Sequence, residues 1–406
     1  MASAAEVEAP ADGLDQFRAE VRDWLAANFP RALRGKDNAM SAVDGPSDPT
    51  PEEEAWRKAM GDKGWGVPSW PKQYGGGGLT RADARVLQEE MAKAGAWNPI
   101  GGMGVMMFGP TLLEYGSEEQ KQRYIPDIAA GNVRWCQGYS EPGAGSDLAS
   151  LQMYAENKGD HYLVNGQKTW TSGGQWADMC FALVRADKTR KHEGISFLLI
   201  DMKAPGVEVK PIRLISGSSP FCETFFTDVR VPKANLVGRE GEGWTIGKRL
   251  LQHERSSLSG GGGSAGRMLA GKPVSALAKE YRGTDEQGRI DDADLRMRIV
   301  RHEMDQRAFV ATLRRAALEA KSNQGPSAAT SIMKNVGARV TQDRAELGIE
   351  IMGMQGLGWE GEGFSEAELA QTRTWLWGKA VSIYGGSSEI QNNVIAKRIL
   401  GMLDHQ

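Results

Sequence analysis

A block of short, strand-like segments lies between two helical regions of this chain, and this order restricts the possible folds more than any other feature. The strand-like runs cover residues 179–185, 195–201, 207–212 and 223–231. Pro205 and Gly206 interrupt them, as turn residues do in a small antiparallel β domain. The run at 162–171 contains Asn165-Gly166, a dipeptide typical of a tight hairpin turn.

The regions on either side of this block show apolar residues at helical spacing. Before the block, Thr50 followed by Pro51 and Glu53 is typical of a capped helix start. Further helical patterns on this side cover residues 81–95 and 117–130. After the block, long amphipathic patterns predict the helices of an antiparallel bundle. They cover residues 243–270, 290–322, 326–354, 365–383 and 389–402.

The length of the chain, 406 residues, exceeds what a single hydrophobic core usually supports. We therefore predict a mainly α fold with a central β domain. The predicted parts are an N-terminal α-helical domain at 1–132, a middle antiparallel β domain at 133–240 and a C-terminal α-helical bundle at 241–406.

The composition argues against several classes of protein. A net charge of −3 disfavours a nucleic-acid binder, which normally carries a basic face. The sequence has no run of about 18 apolar residues that could span a membrane, and its start lacks the pattern of a signal peptide. Cys136, Cys180 and Cys222 show neither zinc spacing nor a disulfide framework, which favours a reducing compartment. We expect a cytoplasmic protein with neither nucleic acid nor membrane as a partner.

Two glycine-rich strings and the histidines do not predict sites of their own. Gly261, Gly263 and Gly266 match the spacing of a dinucleotide loop, but they follow a helical run instead of a strand. The four glycines at 75–78 lack the Gly-Lys-Ser/Thr ending of a phosphate loop. The five histidines are scattered without metal-ligand spacing, so we expect no metal site.

Four stretches carry more specific information. Residues 137–147 supply hydroxyls and low-bulk backbone that can lie against a flat polar ring. In the stretch 167–174, Trp170 could wall an aromatic cofactor and Ser172 could bond to its edge. The other two are the helical pair Glu254-Arg255 and the loop at 382–391. Taken singly, each also has a structural interpretation as a turn, a core tryptophan, a surface ion pair or a helix cap.

Together, the strings "SEPGAGSD", "GQKTWTSGG" and "YGGSSEIQ", followed by "AKRIL", occur in an order that resembles the acyl-CoA dehydrogenases. The resemblance covers residues 14–403. It implies an N-terminal α domain, a middle β domain and a C-terminal four-helix bundle, with FAD as the cofactor. It also implies an acyl-CoA substrate, an electron-transfer flavoprotein as the acceptor, and a homo-oligomer that is a dimer or tetramer.

The resemblance further implies which residues contact FAD. Ser140 and the backbone around Tyr139 match the position that bonds the pyrimidine edge of the flavin. Trp170 matches the tryptophan along the flavin, and Ser172 the hydroxyl that reaches its N5. Other matching positions are Gly145 and Ser146 beside the cofactor and the pantetheine arm, Ser387 and Glu389 at the adenine-side half, and Glu350 and Gly353 at the FAD of a neighbouring subunit.

The catalytic base is implied at an unusual place. Removing the weakly acidic proton α to a thioester needs a positioned carboxylate and a stabilised thioester oxygen. Many members carry the catalytic glutamate at the position of Gly385, whereas the isovaleryl and long-chain types carry it on the first helix of the bundle. Residues 250–255 match that helix, with Glu254 at the base position. The resemblance leaves the N–H of Gly385 to polarise the thioester oxygen, and Arg255 to tune Glu254.

The substrate is less defined. Four consecutive glycines at 260–263 follow the proposed base, although each costs a helix roughly 1 kcal/mol relative to alanine. They either leave room for a wide acyl group or allow close packing. Wording such as "QGYSEPGAGSDLASL" and "EGISFLLIDMK" is similar to bacterial members acting on dicarboxylyl, aromatic or steroid-derived thioesters. We expect a branched or ring-bearing acyl group.

Some points stay open at this stage. Most members have an Arg-x-x-Phe-Gly segment that reaches the partner's FAD, but the stretch at 279–285 aligns no arginine with it. An acyl-CoA oxidase of the same fold is an alternative function. A non-catalytic subunit of a heteromeric assembly is another, although such a subunit should lack the base or the cofactor residues, and Glu254, Trp170 and Ser172 are present.

Overall fold

The computed structural model describes residues 11–35, 48–259, 272–321 and 330–403. The chain forms two compact units. The first consists of residues 1–213 and 219–255, and the second of residues 214–218 and 256–406. The three-domain boundaries expected from the sequence stay a prediction.

The helices of the first unit begin at side-chain caps where the sequence provides them. They are α1 (Ala11–Asn28), α2 (Pro51–Asp62), α3 (Arg81–Ala94), α4 (Gly109–Tyr115), α5 (Glu118–Ala130) and the larger part of α6 (Gly243–Ser259). The predicted start at Thr50 is confirmed, because its hydroxyl accepts the N–H of Glu53 while the Glu53 carboxylate accepts the N–H of Thr50. This reciprocal pair satisfies two N–H groups that lie before the first intrahelical bonds.

An eight-stranded sheet forms the centre of the first unit, and the prediction of an antiparallel β region is confirmed for most of it. The strands are β1 (Trp135–Gly138), β2 (Tyr154–Asn157), β3 (His161–Ser172), β4 (Met179–Arg185), β5 (Ile195–Asp201), β6 (Val207–Ile212), β7 (Phe221–Pro232) and β8 (Leu236–Val237). Their order is β6-β7-β3-β2-β4-β5-β8, and β1 pairs with β4 in parallel. This pairing places Cys136 opposite Cys180, and all three cysteines are buried free thiols.

The hairpin predicted at Asn165-Gly166 is wrong, because β3 continues as a single strand through this dipeptide. The register with β7 shifts between Val164 and Gly166, so the irregularity is a bulge instead of a turn. Asn165 stabilises the bulge, since its side-chain amide bonds to the carboxylate and to the N–H of Asp228 at 2.9 and 2.8 Å. A cross-strand partner has therefore replaced the local turn that the dipeptide favours.

A shared aromatic core joins the helices of the first unit to the sheet. Phe108, just before α4, stacks on Phe181 of β4 with ring centroids 5.4 Å apart. Ile246 and Leu250 of α6 are fully buried in the same cluster. The first half of α6 is therefore fixed on the sheet.

The second unit is helical. Its helices are α7 (Val274–Arg282), α8 (Ala293–Lys321), α9 (Thr330–Met352), α10 (Glu366–Gly378) and α11 (Ser388–Val394). The helices predicted at 290–322 and 326–354 are confirmed to within a few residues. The single helix predicted at 389–402 is α-helical only to Val394 and continues as a π-helical turn over Ile395–Ile399. The helix predicted at 243–270 is described as far as Ser259, and residues 260–271 lie outside the described residues.

Candidate cofactor-binding site

The loop that follows β1 lies against β3, so the first two stretches identified in the sequence meet in space. The N–H of Thr169 donates to the carbonyl of Ser140 at 2.8 Å. Tyr139 and Ser140 are thereby placed beside the part of β3 that carries Trp170. Tyr139 is buried and Ser140 half-buried.

A buried ion pair lies beneath this loop. Lys168 of β3 is 0% exposed, and its Nζ donates to the carbonyl of Tyr139 at 3.0 Å and to Oε1 of Glu141 at 2.7 Å. The Glu141 carboxylate also accepts the N–H groups of Gln152 and Met153, at 2.6 and 2.9 Å. Burial lowers the pKa of Lys168, and the adjacent Glu141 carboxylate opposes that effect.

The sequence reasoning missed this pair, although a signal was present. Tyr162 and Val164 alternate inward on β3, and the same two-residue period places Lys168 on the buried face. A lysine at an inward position needs an acidic partner. Glu141, in the neighbouring motif, is that partner.

Trp170 combines exposure with an unusual backbone conformation. Its side chain is 56% exposed, and its ring meets Phe221 edge-on with centroids 6.0 Å apart. Its φ is +59°, a left-handed conformation that costs a non-glycine residue roughly 1–2 kcal/mol. It lies where the register of β3 with β7 shifts between Lys168 and Thr171. Strain of this kind together with an exposed aromatic face is typical of a ligand-binding position.

The loop that follows β1 and the end of β3 offer open space and polar groups, which fit a large, planar, polar cofactor such as FAD. A Cβ added at Gly143 or Gly145 would meet nothing within 4 Å, so the loop leaves open space. Ser146 is exposed on the same loop, and Ser172 is half-buried two residues after Trp170. The side-chain nitrogen of Gln137 is buried without a hydrogen-bond partner among the described residues. A buried donor of this kind is one that a bound ligand can satisfy.

Helix α6 carries Glu254, the predicted base, and Arg255, the residue predicted to tune it. The Arg249 guanidinium binds both carboxylate oxygens of Glu114, at 2.8 and 2.7 Å, which ties α6 to α4. This ion pair raises the pKa of Arg249. Glu254 and Arg255 lie on the same helix. The side chains of residues 253–259 lie outside the described residues, so the roles of Glu254 and Arg255 stay predictions.

The loop before α11, in the second unit, has a conformation that favours glycine. Gly385 and Gly386 have φ values of +65° and +93°, where a side chain is strained. A glutamate at position 385 would therefore adopt a strained backbone conformation. The hydroxyl of Ser387 caps α11 by accepting the N–H of Ile390. A hydrogen bond from Ser387 also lowers the pKa of Glu389.

The strip at 350–353, also in the second unit, is held by two arginines. Both Nη atoms of Arg298 bind the Glu350 carboxylate at 2.5 Å, and Arg282 donates to the Glu350 carbonyl. A Cβ at Gly353, which has a φ of +58°, would lie 3.6 Å from the Arg282 guanidinium. Arg282 lies in the stretch at 279–285, which could not be aligned with the Arg-x-x-Phe-Gly segment of the family. The structure shows that this arginine contacts the strip. The contact of Glu350 and Gly353 with a cofactor stays a prediction.

Two absences concern only the part of the chain that the structure describes. Within it, no group of three or more His, Cys, Asp or Glu side chains is arranged to hold a metal ion. None of its helices combines the length and hydropathy needed to cross a membrane.

Models of one protein family match almost the whole chain. The N-terminal domain of acyl-CoA dehydrogenase matches residues 12–132, the middle domain residues 136–229, and the C-terminal domain residues 241–400.

Individual relatives match this chain over nearly the full length of both proteins. Acyl-CoA dehydrogenase IpdE1 of Mycolicibacterium smegmatis is 36% identical over 404 residues, which covers 96% of this chain and 98% of that protein. Acyl-CoA dehydrogenase FadE26 of Mycobacterium tuberculosis is 32% identical over 402 residues and covers 96% of each chain. These relatives and the three domain matches are all acyl-CoA dehydrogenases.

Solved structures agree as well. A structure described as the Tcur3481-Tcur3483 steroid ACAD superposes with a TM-score of 0.75 at 29% identity, covering 98% of this chain and 99% of that one. The ChsE4-ChsE5 complex from Mycobacterium tuberculosis contains a chain with a TM-score of 0.74 at 29% identity, covering 98% of this chain and all of that one. With every domain matched and nearly the full length aligned, this chain belongs to the acyl-CoA dehydrogenases, a family of FAD-dependent oxidoreductases.

Proposed function

We propose that this enzyme uses FAD to introduce a double bond between the α and β carbons of an acyl-CoA thioester. The observation that carries the proposal is Trp170, an exposed tryptophan held in a left-handed backbone beside the Ser140 loop. Such a backbone costs stability, and strain of this kind is often kept at ligand-binding positions. The resemblance of the surrounding motifs to the flavin-binding segments of the family supplies the identity of that ligand.

The proposed cofactor contacts follow from the resemblance of these motifs to those of the family. Bound FAD would supply the acceptor for the hydride that leaves the β carbon. Trp170 would lie along the flavin, the Ser172 hydroxyl would reach its N5, and Ser140 with the Tyr139 backbone would hold its pyrimidine edge. Gly145 and Ser146 line the cofactor and the pantetheine arm. The contacts assigned to the second unit are Ser387 and Glu389, and Glu350 and Gly353 toward the FAD of a neighbouring subunit.

Glu254 is the proposed base. Its carboxylate takes the α proton while the Cα–Cβ double bond forms, and the N–H of Gly385 stabilises the negative charge that develops on the thioester oxygen. Arg255 adjusts the position and charge of Glu254. The left-handed backbone at Gly385 supports this division of roles, because it disfavours a side chain at the position that carries the base in many other members.

We propose a branched or ring-bearing acyl group as the substrate, with a steroid-derived CoA thioester as the first compound to test. The support is the likeness at 29% identity to a chain of the structure described as a steroid ACAD. The four glycines at 260–263, which either leave room for a wide acyl group or allow close packing, lie outside the described residues.

An electron-transfer flavoprotein is the proposed acceptor, and the active form is proposed to be an oligomer. A homo-oligomer is the form expected from the resemblance. Two similar structures are described as pairs of proteins, Tcur3481-Tcur3483 and ChsE4-ChsE5, and this supports a heteromeric assembly as the alternative. The native mass of the purified chain, and whether a second polypeptide co-purifies with it from its source cells, distinguish the two.

The flavin spectrum of Glu254→Gln tests the proposal. The parent should bleach when mixed anaerobically with a ring-bearing acyl-CoA, and the variant should bind the ligand but bleach at least about a hundredfold more slowly. Lys248→Gln is the matched control, since Lys248 is an exposed cation on the same helix, and it should behave like the parent.

The other outcomes are equally informative. If Glu254→Gln bleaches as fast as the parent, the base is elsewhere. Fast turnover of straight C4–C8 thioesters without turnover of bulky ones would overturn the substrate assignment. Production of hydrogen peroxide in air with each turnover would identify an oxidase instead of a dehydrogenase.

A further inference from the structure

The buried Lys168–Glu141 pair lies directly beneath the loop proposed to hold the flavin. Lys168 Nζ donates to the carbonyl oxygen of Tyr139 at 3.0 Å and to Glu141 at 2.7 Å. Both side chains are buried, with Lys168 at 0% and Glu141 at 8% exposure. Lys168 is also two residues before Trp170 on β3. The Lys168 side chain therefore holds the loop on its buried side, and Lys168 belongs to the strand that carries the exposed Trp170.

The contact with Tyr139 determines where the next N–H points. In a trans peptide the C=O and the N–H lie on opposite sides of the chain. No cis peptide bond occurs among the described residues. Because the Tyr139 carbonyl points inward to the ammonium, the N–H of Ser140 points away from the buried lysine. The Ser140 carbonyl is fixed separately, as it accepts the N–H of Thr169 at 2.8 Å.

Stability alone does not account for a lysine at this place. Taking two charges out of water costs several kcal/mol per ion, and replacing a buried ion pair with apolar residues is often neutral or stabilising. Glu141 has a structural role of its own, since it accepts the N–H groups that begin the approach to β2. The Lys168 ammonium, in contrast, bonds to Glu141 and to the Tyr139 carbonyl of the loop.

We propose that Lys168 is a positioning residue for the cofactor, which holds and polarises the Tyr139–Ser140 peptide so that the Ser140 N–H donates to an acceptor atom at the pyrimidine edge of the flavin. A cation bonded to the carbonyl of a peptide strengthens the N–H of the same peptide as a donor. Glu141 neutralises the lysine and keeps it in place. The inference rests on the proposed function, because it requires a flavin at this loop.

The strengthened donor has a consequence for the flavin itself. Reduction adds electrons to the ring and increases the negative charge at its pyrimidine edge. A donor backed by a cation therefore stabilises the reduced form more than the oxidised form. Removing the ammonium should weaken FAD binding and also lower the midpoint potential of the bound flavin.

The test uses the full chain with its FAD removed and restored. The variants are Lys168→Met, and the double variant Lys168→Met with Glu141→Gln, which avoids leaving an unpaired buried carboxylate. The matched control is Glu90→Gln, which removes a different buried carboxylate from the helical part of the same unit. For each, the FAD dissociation constant is measured by flavin fluorescence, the midpoint potential by reductive titration, and the melting temperature without FAD.

The expected result is a dissociation constant about tenfold or more above that of the parent in both Lys168 variants, with a lower midpoint potential. Glu90→Gln should lose melting temperature but keep both flavin properties. If the Lys168 variants melt earlier yet bind FAD with unchanged affinity and potential, the residue is structural and the inference is wrong. If Lys168→Met does not fold, the double variant decides by the same measurements. If the parent itself binds no FAD, the cofactor assignment fails, and the parent and every variant then behave alike.

Discussion

Two buried carboxylates in the first unit are paired with cations in different ways. Glu90 of α3 is 2% exposed and accepts hydrogen bonds from Arg18, Arg22 and Lys93, each at 2.6 Å. Arg22 and Lys93 remain more than half exposed. Glu141 is bonded instead to Lys168, which has no exposed surface. Glu90 is paired with cations that are all at least partly exposed, whereas Glu141 is paired with a cation that is fully buried.

The difference separates a structural ion cluster from a functional one. Two of the three cations around Glu90 are more than half exposed and Arg18 is partly exposed, so this cluster is less desolvated than a fully buried pair. The Lys168–Glu141 pair desolvates two charges at a place where apolar residues would serve a core equally well. The second arrangement is found under the loop that carries Ser140, and the first is found among helices without a proposed site. The comparison therefore favours a role for the Lys168–Glu141 pair, called the sealed pair below, in holding the loop that carries Ser140.

Removing one member of the sealed pair should have the largest effect on stability. Lys168→Met leaves the Glu141 carboxylate buried without its cation, and we expect the free energy of unfolding of the apoprotein to fall by about 3 kcal/mol or more. The double variant with Glu141→Gln should recover part of this loss, because no unpaired charge remains. Urea denaturation measures both. If single and double variants are equally unstable, an unpaired charge is not the cause and the contrast with Glu90 fails.

The cluster around Glu90 should give a smaller effect with a defined pH dependence. Hydrogen bonds from Arg22 and Lys93 hold the pKa of Glu90 at about 2, below its ordinary 4.5. A carboxylate with a lowered pKa stabilises the fold above its ordinary pKa and loses that contribution as the pH falls. After discounting for the exposed cations, we expect Glu90→Gln to cost about 2 kcal/mol near pH 7.

The same variant should approach the parent in acid. As the pH falls from 4.5 toward 2, the parent protonates Glu90 and loses the advantage that the variant never had. Urea denaturation of both proteins at several pH values between 7 and 3 measures the gap. A gap of constant size over this range would show that hydrogen bonding, and not charge, is what Glu90 contributes.

The sequence predicted the order of elements well and the polar interior poorly. Helix starts such as Thr50 depend on residues three positions apart, and these are visible in a string of letters. The bulge at Asn165 and the Lys168–Glu141 pair depend on partners 63 and 27 residues away. Local preference cannot anticipate such partners, and at Asn165-Gly166 it predicted a turn that the partner strand prevents.

The proposed site shows the same division between local and distant information. The family motifs located Ser140 and Trp170 by their strings, but no string states that Thr169 joins their two segments. The left-handed backbone of Trp170 could not be predicted either, because tryptophan has no preference for it. The shift in register with β7 between Lys168 and Thr171 creates that conformation, and the shift is a property of two strands together.

Substitution of Trp170 should change the free energy of unfolding least, and it should raise this energy instead of lowering it. Trp170→Gly removes an exposed ring and relieves a left-handed backbone, which is worth roughly 1 kcal/mol, although the loss of the edge contact with Phe221 offsets part of it. We therefore expect the apoprotein to be as stable as the parent or slightly more stable in urea, while its affinity for FAD falls. Trp176→Gly nearby, at a half-buried residue with an ordinary backbone, is the control and should destabilise the apoprotein. If Trp170→Gly destabilises the apoprotein and leaves FAD affinity unchanged, Trp170 belongs with Glu90 among the structural residues, and the strain at this position has no functional meaning.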